Sequence, residues 1–77
     1  MGELVKLIAQ SLVDHPEAVK VNEVDGAQSI IVELRVSPDD MGKVIGKQGR
    51  IAKAIRTVVK AAATKTKKRV TVEIIQD

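Results

Sequence analysis

Two glycines lie three residues apart in the central segment Val44-Ile45-Gly46-Lys47-Gln48-Gly49-Arg50-Ile51. A bare G-x-x-G spacing is common by chance, but here apolar residues at helical spacing stand on both sides of it. Two glycines let the backbone turn sharply and approach a ligand closely. A helix beginning near Gly49 presents free N–H groups and a positive dipole end that suit a phosphate. The segment therefore predicts a loop between two helices, with Lys47 and Arg50 adding positive charge.

The residues before this loop predict one helix and two strands. Apolar residues recur at helical spacing over residues 3–13, and Pro16 ends that helix because the residue before a proline avoids the helical region. A short strand is expected over residues 18–24. Asp25-Gly26 is a hairpin-turn signal, and alternation over residues 30–36 predicts a strand with one buried face.

The residues around and after the loop predict two helices and a last strand. Ser37 would cap a short helix that begins at Pro38 and ends before Gly46, with Asp39 and Asp40 favouring its positive end. A longer helix is expected from Arg50 to Thr64, and alternation over residues 70–75 predicts the last strand. The order helix, strand, strand, helix, helix, strand predicts an α+β fold, with a three-stranded sheet carrying the helices on one face.

The apolar residues of the longer helix form a sector wider than a single stripe. The four expected to cover the sheet are Ile51, Ile55, Val58 and Ala62. The three that extend the sector beyond that face are Ala52, Val59 and Ala63. This excess predicts a surface for a partner, either a second copy or a related protein, with Val59 as its central anchor.

Charge is distributed unequally along the 77 residues. Residues 1–40 contain three Lys or Arg and eight Asp or Glu, whereas residues 41–77 contain ten and two. A basic half on a small domain is typical of a polyanion-binding protein, although a solvated basic face explains the charge equally well. The chain has no Phe, Tyr or Trp, which argues against RNA-binding folds that stack bases on aromatic side chains.

Other kinds of site find little support. The segment Gly42–Gln48 is one residue short of a Walker P-loop and lacks its Ser or Thr. His15 is the only histidine and there is no cysteine, so no zinc site is expected. Asp39 and Asp40 are adjacent and point in different directions on a helix, so they do not form a carboxylate pair. We expect a protein without enzymatic activity, cofactor or metal.

The composition also bears on the surroundings of the protein. No apolar run approaches the length of a membrane span, and the first residues lack the basic start of a signal peptide. We therefore expect a soluble cytoplasmic protein that forms one domain over residues 1–77.

The segment Val44–Arg50 resembles the signature of the KH domain, whose G-x-x-G loop clamps about four nucleotides. The element order resembles the type II KH fold, and the whole chain is similar to the KhpA family of small bacterial single-KH-domain proteins. This resemblance implies binding of single-stranded RNA. It also implies a role as an RNA chaperone that affects cell shape, acting as a homodimer or as a heterodimer with a KhpB-like KH protein.

The same resemblance assigns the RNA-binding residues. The loop roles fall on Gly46, Lys47, Gln48 and Gly49, with Arg50 at the helix start. The groove is expected between the loop helices and the edge of the second strand, and its remaining candidates are Lys43, Val44, Ile45, Lys53, Ile31 and Arg35. Two other functions stay open: a protein-interaction module that binds little nucleic acid, and a protein that binds single-stranded DNA.

Overall fold

The computed structural model describes residues 1–75 and has the element order expected from the sequence. The elements are α1 (Gly2–Leu12), β1 (Lys20–Asp25), β2 (Ser29–Arg35), α2 (Pro38–Ile45), α3 (Arg50–Ala63) and β3 (Arg69–Ile74). Single 3-10 turns at Pro16–Ala18 and Lys47–Gly49 join α1 to β1 and α2 to α3. The three α-helices and three strands confirm the predicted α+β fold, and the predicted bounds differ by one or two residues.

The three strands form one mixed sheet in the order β1-β2-β3. β1 pairs with β2 in antiparallel register, with Val21 opposite Leu34. β3 pairs with β2 in parallel register, with Val72 opposite Val32. The central strand β2 therefore has no free edge, whereas β1 and β3 are both edge strands.

The core lies between one face of this sheet and the helices. Val32 and Leu34 of β2 are fully buried, and Val5 and Ile55 cover them from α1 and α3. α1 and α3 contact the sheet and each other, while α2 packs against α3. Alternate residues of the strands point to the opposite face, which no helix of residues 1–75 covers.

The first turn of α2 is tied to the end of α1. Ser37 caps this helix as predicted, because its hydroxyl accepts a hydrogen bond of 3.2 Å from the Asp39 N–H. Asp40 is fully buried, and its two carboxylate oxygens accept hydrogen bonds from the N–H groups of Asp14 and His15, each at 3.0 Å. The sequence predicted only an interaction of Asp40 with the helix dipole. Its main contacts are these two hydrogen bonds, which fix the turn that follows α1.

The expected buried face of α3 is partly wrong. Ala52 and Val59 were assigned to the outer surface, yet they are 5% and 2% exposed and pack in the core with Ile55. Val58 was assigned to the core and is 40% exposed. The helix is therefore rotated relative to the prediction, since Ala52, Ile55 and Val59 share its buried face. A partner surface centred on Val59 is therefore excluded.

Candidate nucleic-acid interface

The loop between α2 and α3 has an unusual backbone. Three consecutive residues, Lys47, Gln48 and Gly49, have positive φ angles of 51°, 63° and 68°. Left-handed conformation costs about 1 kcal/mol for a residue with a side chain, so Lys47 and Gln48 are held in it by the surrounding structure. Both side chains are exposed. The loop thus presents one cationic and one amide side chain to solvent on a tightly wound support.

Glycine is needed at positions 46 and 49 for different structural reasons. The Gly46 N–H donates to the Gly42 carbonyl at 2.7 Å, and a Cβ on Gly46 would collide with that same carbonyl oxygen. Gly49 has open space where a Cβ would stand, but its positive φ disfavours other residues. Its N–H donates to the Gly46 carbonyl at 2.8 Å and closes the loop. Close packing therefore requires the first glycine, and backbone conformation favours the second.

The N-terminus of α3 is open to an anion. Gly49 is its N-cap, and no side chain hydrogen-bonds to the first turn in the described structure. The backbone changes from left-handed at Gly49 to right-handed at Arg50, which has φ −56° and ψ −44°. A change of hand between successive residues is the backbone arrangement of an anion-binding concavity. The helix dipole adds to it.

A groove begins beside this loop and lies between α3 and β3. Its first pocket, here called the proximal pocket, has a volume of about 390 Å³. Its lining residues are Ile45, Gln48, Gly49, Ala52, Lys53, Arg56 and Ile74. Ile45, Ala52 and Ile74 give the pocket an apolar floor, while Lys53 and Arg56 are exposed cations at its margin. An apolar floor below a row of cations suits bases that follow a phosphate chain.

The free edge of β3 borders the same groove. Arg69 and Ile75 donate their N–H groups to the Gln28 and Leu34 carbonyls of the neighbouring chain segment, at 3.1 and 2.8 Å. Alternate residues of a strand in a parallel pair direct their backbone groups to the other side. Val72 and Ile74 therefore direct N–H and C=O groups to the free edge, where base edges can bond with them.

The structure brings only some of the predicted site residues together. Gly46, Lys47, Gln48, Gly49, Arg50, Ile45 and Lys53 lie at the loop or at the proximal pocket. Val44 is fully buried in the core. Lys43 is on α2, where its ammonium group contacts the Asp14 carboxylate at 3.2 Å.

The predicted strand side of the groove requires correction. β2 is paired on both sides and offers no edge to a groove. Ile31 and Arg35 also alternate with the buried residues Val32 and Leu34, so they belong to the sheet face without helices. The strand that borders the groove is β3.

Sequence reasoning missed three residues of the proximal pocket. Ala52 was assigned to the partner surface of the longer helix, and Arg56 and Ile74 were not among the predicted site residues. These residues are brought together by the parallel pairing of the last strand, which places β3 at an edge of the sheet beside α3. The alternation of apolar and polar residues does not give the order of the strands in the sheet. The position of β3 beside α3 therefore becomes visible only in the structure.

Comparison with known proteins agrees with this architecture. The sequence profile described as "KhpA/KhpB, KH domain" matches residues 2–74. The chain belongs to the KhpA/KhpB family of KH domains. The family resemblance seen in the sequence is therefore confirmed over nearly the whole chain.

Several relatives in this KhpA/KhpB family are similar along their full length. A protein of Caldanaerobacter subterraneus subsp. tengcongensis is 76% identical over 75 residues, covering 97% of this chain and 100% of the relative. A Clostridium perfringens protein is also 76% identical with the same coverage. An Aquifex aeolicus protein is 49% identical over 76 residues, covering 99% and 96%. Each is named "RNA-binding protein KhpA". No solved structure matches the chain.

Residues 1–75 contain neither a metal-binding cluster nor a membrane-spanning helix. No group of three or more His, Cys, Asp or Glu side chains is placed to hold a metal ion. Within the same range, every helix is too short or too polar to cross a membrane.

Proposed function

We propose that this chain binds single-stranded RNA, and that the loop Gly46–Gly49 holds the sugar-phosphate backbone. The observation that carries the proposal is the anion-binding concavity at the uncapped start of α3, next to a groove with an apolar floor. Lys47 and Arg50 are exposed at this concavity. The relatives named as RNA-binding proteins support the same ligand.

In this proposal the phosphates and the bases contact different elements. Phosphate oxygens accept hydrogen bonds from the first N–H groups of α3 and pair with Lys47, Arg50 and Lys53. Bases lie on Ile45 and Ile74, and their edges bond with the free edge of β3. Aliphatic side chains contact a base face without aromatic stacking, so each base contributes less than the 1–3 kcal/mol of an aromatic platform.

These contacts predict weak and salt-sensitive binding by a single copy. With about three phosphates neutralised at about −0.7 per phosphate, log K should fall against log salt with a slope near −2. We expect micromolar affinity or weaker at physiological salt. Fluorescence anisotropy with labelled oligouridylate across a salt series measures both quantities. Nanomolar binding that ignores salt would contradict the proposed contacts.

The decisive variant carries Lys47→Asp and Gln48→Asp. It places negative charge at the concavity and keeps both glycines, so the fold should remain while RNA affinity falls at least tenfold, or about 1.4 kcal/mol. The control carries Lys20→Asp and Ser11→Asp, which make the same change in net charge at exposed positions away from the loop. The control should retain most of the affinity. A folded loop variant with unchanged RNA affinity excludes the proposal.

Competition with DNA of equal sequence tests the nature of the ligand. Preferential binding of RNA supports the proposal, while equal or better binding of DNA favours the single-stranded DNA alternative. Absence of binding to either, in the folded protein, favours the protein-interaction module.

The family also suggests a cellular role and a partner. We propose that the chain is a cytoplasmic RNA chaperone that affects cell shape and pairs with a second copy or with a KhpB-like KH protein. The support from the structure is a set of exposed apolar side chains on two helices that contact each other: Leu7 and Leu12 on α1, and Val58 on α3. Pairing places two loops in one particle and raises RNA affinity through effective concentration.

A further inference from the structure

The groove beside the loop continues along the whole of α3. A second pocket of about 500 Å³, here called the distal pocket, lies between the second half of α3 and β3. Arg56 lines both the proximal and the distal pocket, so the two are adjacent along α3. The floor of the distal pocket is apolar and includes Val59, Val70 and Val72.

Four cations surround the far end of this groove. The group, here called the distal cluster, consists of Lys60, Lys67, Lys68 and Arg69. Lys68 contacts the Asp25 carboxylate at 2.6 Å. In the described part of the chain, the other three form no side-chain ion pair. Lys60, Lys68 and Arg69 line the distal pocket, whereas Lys67 lines, with Lys68 and Arg69, a polar recess beside the turn between β1 and β2. The basic surface therefore extends past the pocket.

The distal cluster is well separated from the loop. α3 has 14 residues and therefore spans about 21 Å at 1.5 Å per residue. Its first turn borders the G-x-x-G loop, and its last turn leads into the distal cluster. A G-x-x-G loop clamps about four nucleotides, so a longer strand that leaves the proximal pocket along the groove next meets the distal pocket.

Charge and continuity identify the occupant of the distal pocket. A polyanion complements the distal cluster, and an apolar floor accepts base faces. An acidic protein segment would match the charge, but the shared lining residue Arg56 places the pocket in line with the site proposed for RNA. A single RNA strand can therefore contact both pockets without leaving the protein surface.

We propose that the distal pocket and distal cluster bind a second segment of the same RNA strand, so that the chain holds more nucleotides than the loop alone clamps. This inference rests on the proposed function of the loop. It predicts that lengthening the RNA from four to eight nucleotides raises affinity by more than the number of binding positions explains. A four-nucleotide site has about five positions on an eight-nucleotide strand, so a gain of about fivefold needs no second segment.

The experiment compares oligouridylates of four, eight and twelve nucleotides by fluorescence anisotropy. In the unmodified protein the eight-nucleotide RNA should bind about 30-fold or more tightly than the four-nucleotide RNA. Its salt slope should be steeper by about −1.4, which corresponds to about two further phosphates at −0.7 each. The test variant carries Lys67→Gln and Arg69→Gln, and its gain should fall to about fivefold with unchanged affinity for four nucleotides. The matched control carries Lys6→Gln and Lys20→Gln on α1 and β1, and should behave as the unmodified protein.

The outcomes separate this inference from the proposed function. If lengthening the RNA raises affinity equally in the test variant and in the unmodified protein, the proposed second RNA segment is wrong, and the proposed loop site is unaffected. Loss of four-nucleotide binding in the Lys47→Asp, Gln48→Asp variant supports the loop site independently of length. If the folded protein binds none of the three RNAs, both proposals fail. A poly-glutamate peptide should not compete for the distal pocket. If it removes the length-dependent gain in RNA affinity, and binds as tightly as the RNA does, the occupant of the distal pocket is an acidic protein segment and not RNA.

Discussion

Replacing Asp40 by alanine tests the buried polar contact between α2 and the turn that follows α1. The buried carboxylate accepts two backbone hydrogen bonds at 3.0 Å, from Asp14 and His15. Each hydrogen bond to a charged group contributes about 1.5–3 kcal/mol, and removal of the buried charge recovers part of this through desolvation. We expect Asp40→Ala to lower the free energy of unfolding by about 3 kcal/mol, because two part-buried N–H groups lose their acceptors. For a domain of 77 residues, the whole free energy of unfolding is only about 4–11 kcal/mol.

Urea unfolding followed by far-ultraviolet circular dichroism measures this loss, since the chain has no aromatic side chain for fluorescence. With an m value of about 1 kcal/mol per molar for a small domain, the midpoint should fall by about 3 M. The control is Asp39→Ala, because the Asp39 side chain is 83% exposed and its interaction with the helix dipole contributes about 0.3–1 kcal/mol. Asp40→Asn should lie between the two, since its amide group offers one acceptor for two donors. If Asp40→Ala and Asp39→Ala lower the free energy of unfolding equally, the two hydrogen bonds of Asp40 do not stabilise the fold as proposed.

Two further pairs of variants test the loop and α3. Gly46→Ala should lower the melting temperature more than Gly49→Ala, because the first brings a Cβ against the Gly42 carbonyl while the second costs about 1 kcal/mol of left-handed strain; the reverse order in thermal unfolding would contradict these roles. Val59→Glu should prevent folding because it buries an unpaired charge, whereas Val58→Glu should fold and, if this side of α3 carries self-association, lower the mass seen by light scattering at tens of micromolar. A folded Val59→Glu protein would place Val59 outside the core.

The sequence predicted the elements well because each one depends on local chemistry. Alternation over residues 30–36 is enough to predict β2, since buried and exposed residues must exchange at every step in a strand with one covered face. The cap at Ser37 was predicted for the same reason: the hydroxyl satisfies an N–H two residues away, and no distant contact is involved.

The rotation of α3 was beyond this local chemistry. Its apolar sector is wide enough to allow more than one buried face, and helical spacing alone does not choose among them. In the structure Ala52, Ile55 and Val59 form the buried face, while Val58 is 40% exposed. The same wide sector suggested Val59 as an outer anchor, although it is a core residue that is 2% exposed.

The strand side of the groove depended on topology for a similar reason. Sequence order makes β2 the neighbour of α2, so it was the natural strand to place beside the loop. Parallel pairing of β3 with β2 closes that edge and moves the groove to β3. The loop residues were unaffected, because the G-x-x-G spacing and its flanking helices are adjacent in the chain.

The loop that we propose for phosphate binding is held by hydrogen bonds of its own backbone. Gly46 is fixed by its hydrogen bond to Gly42, and Gly49 by its hydrogen bond to Gly46, so Lys47 and Gln48 are held between two closed turns. Binding to such a loop loses little backbone entropy, which would otherwise oppose association at about 1–2 kcal/mol per ordered residue. The weak affinity expected for a single copy therefore follows from the lack of aromatic stacking and the small number of phosphates. Adding contacts along α3, or a second copy of the loop, should strengthen binding more than any further stiffening of the loop.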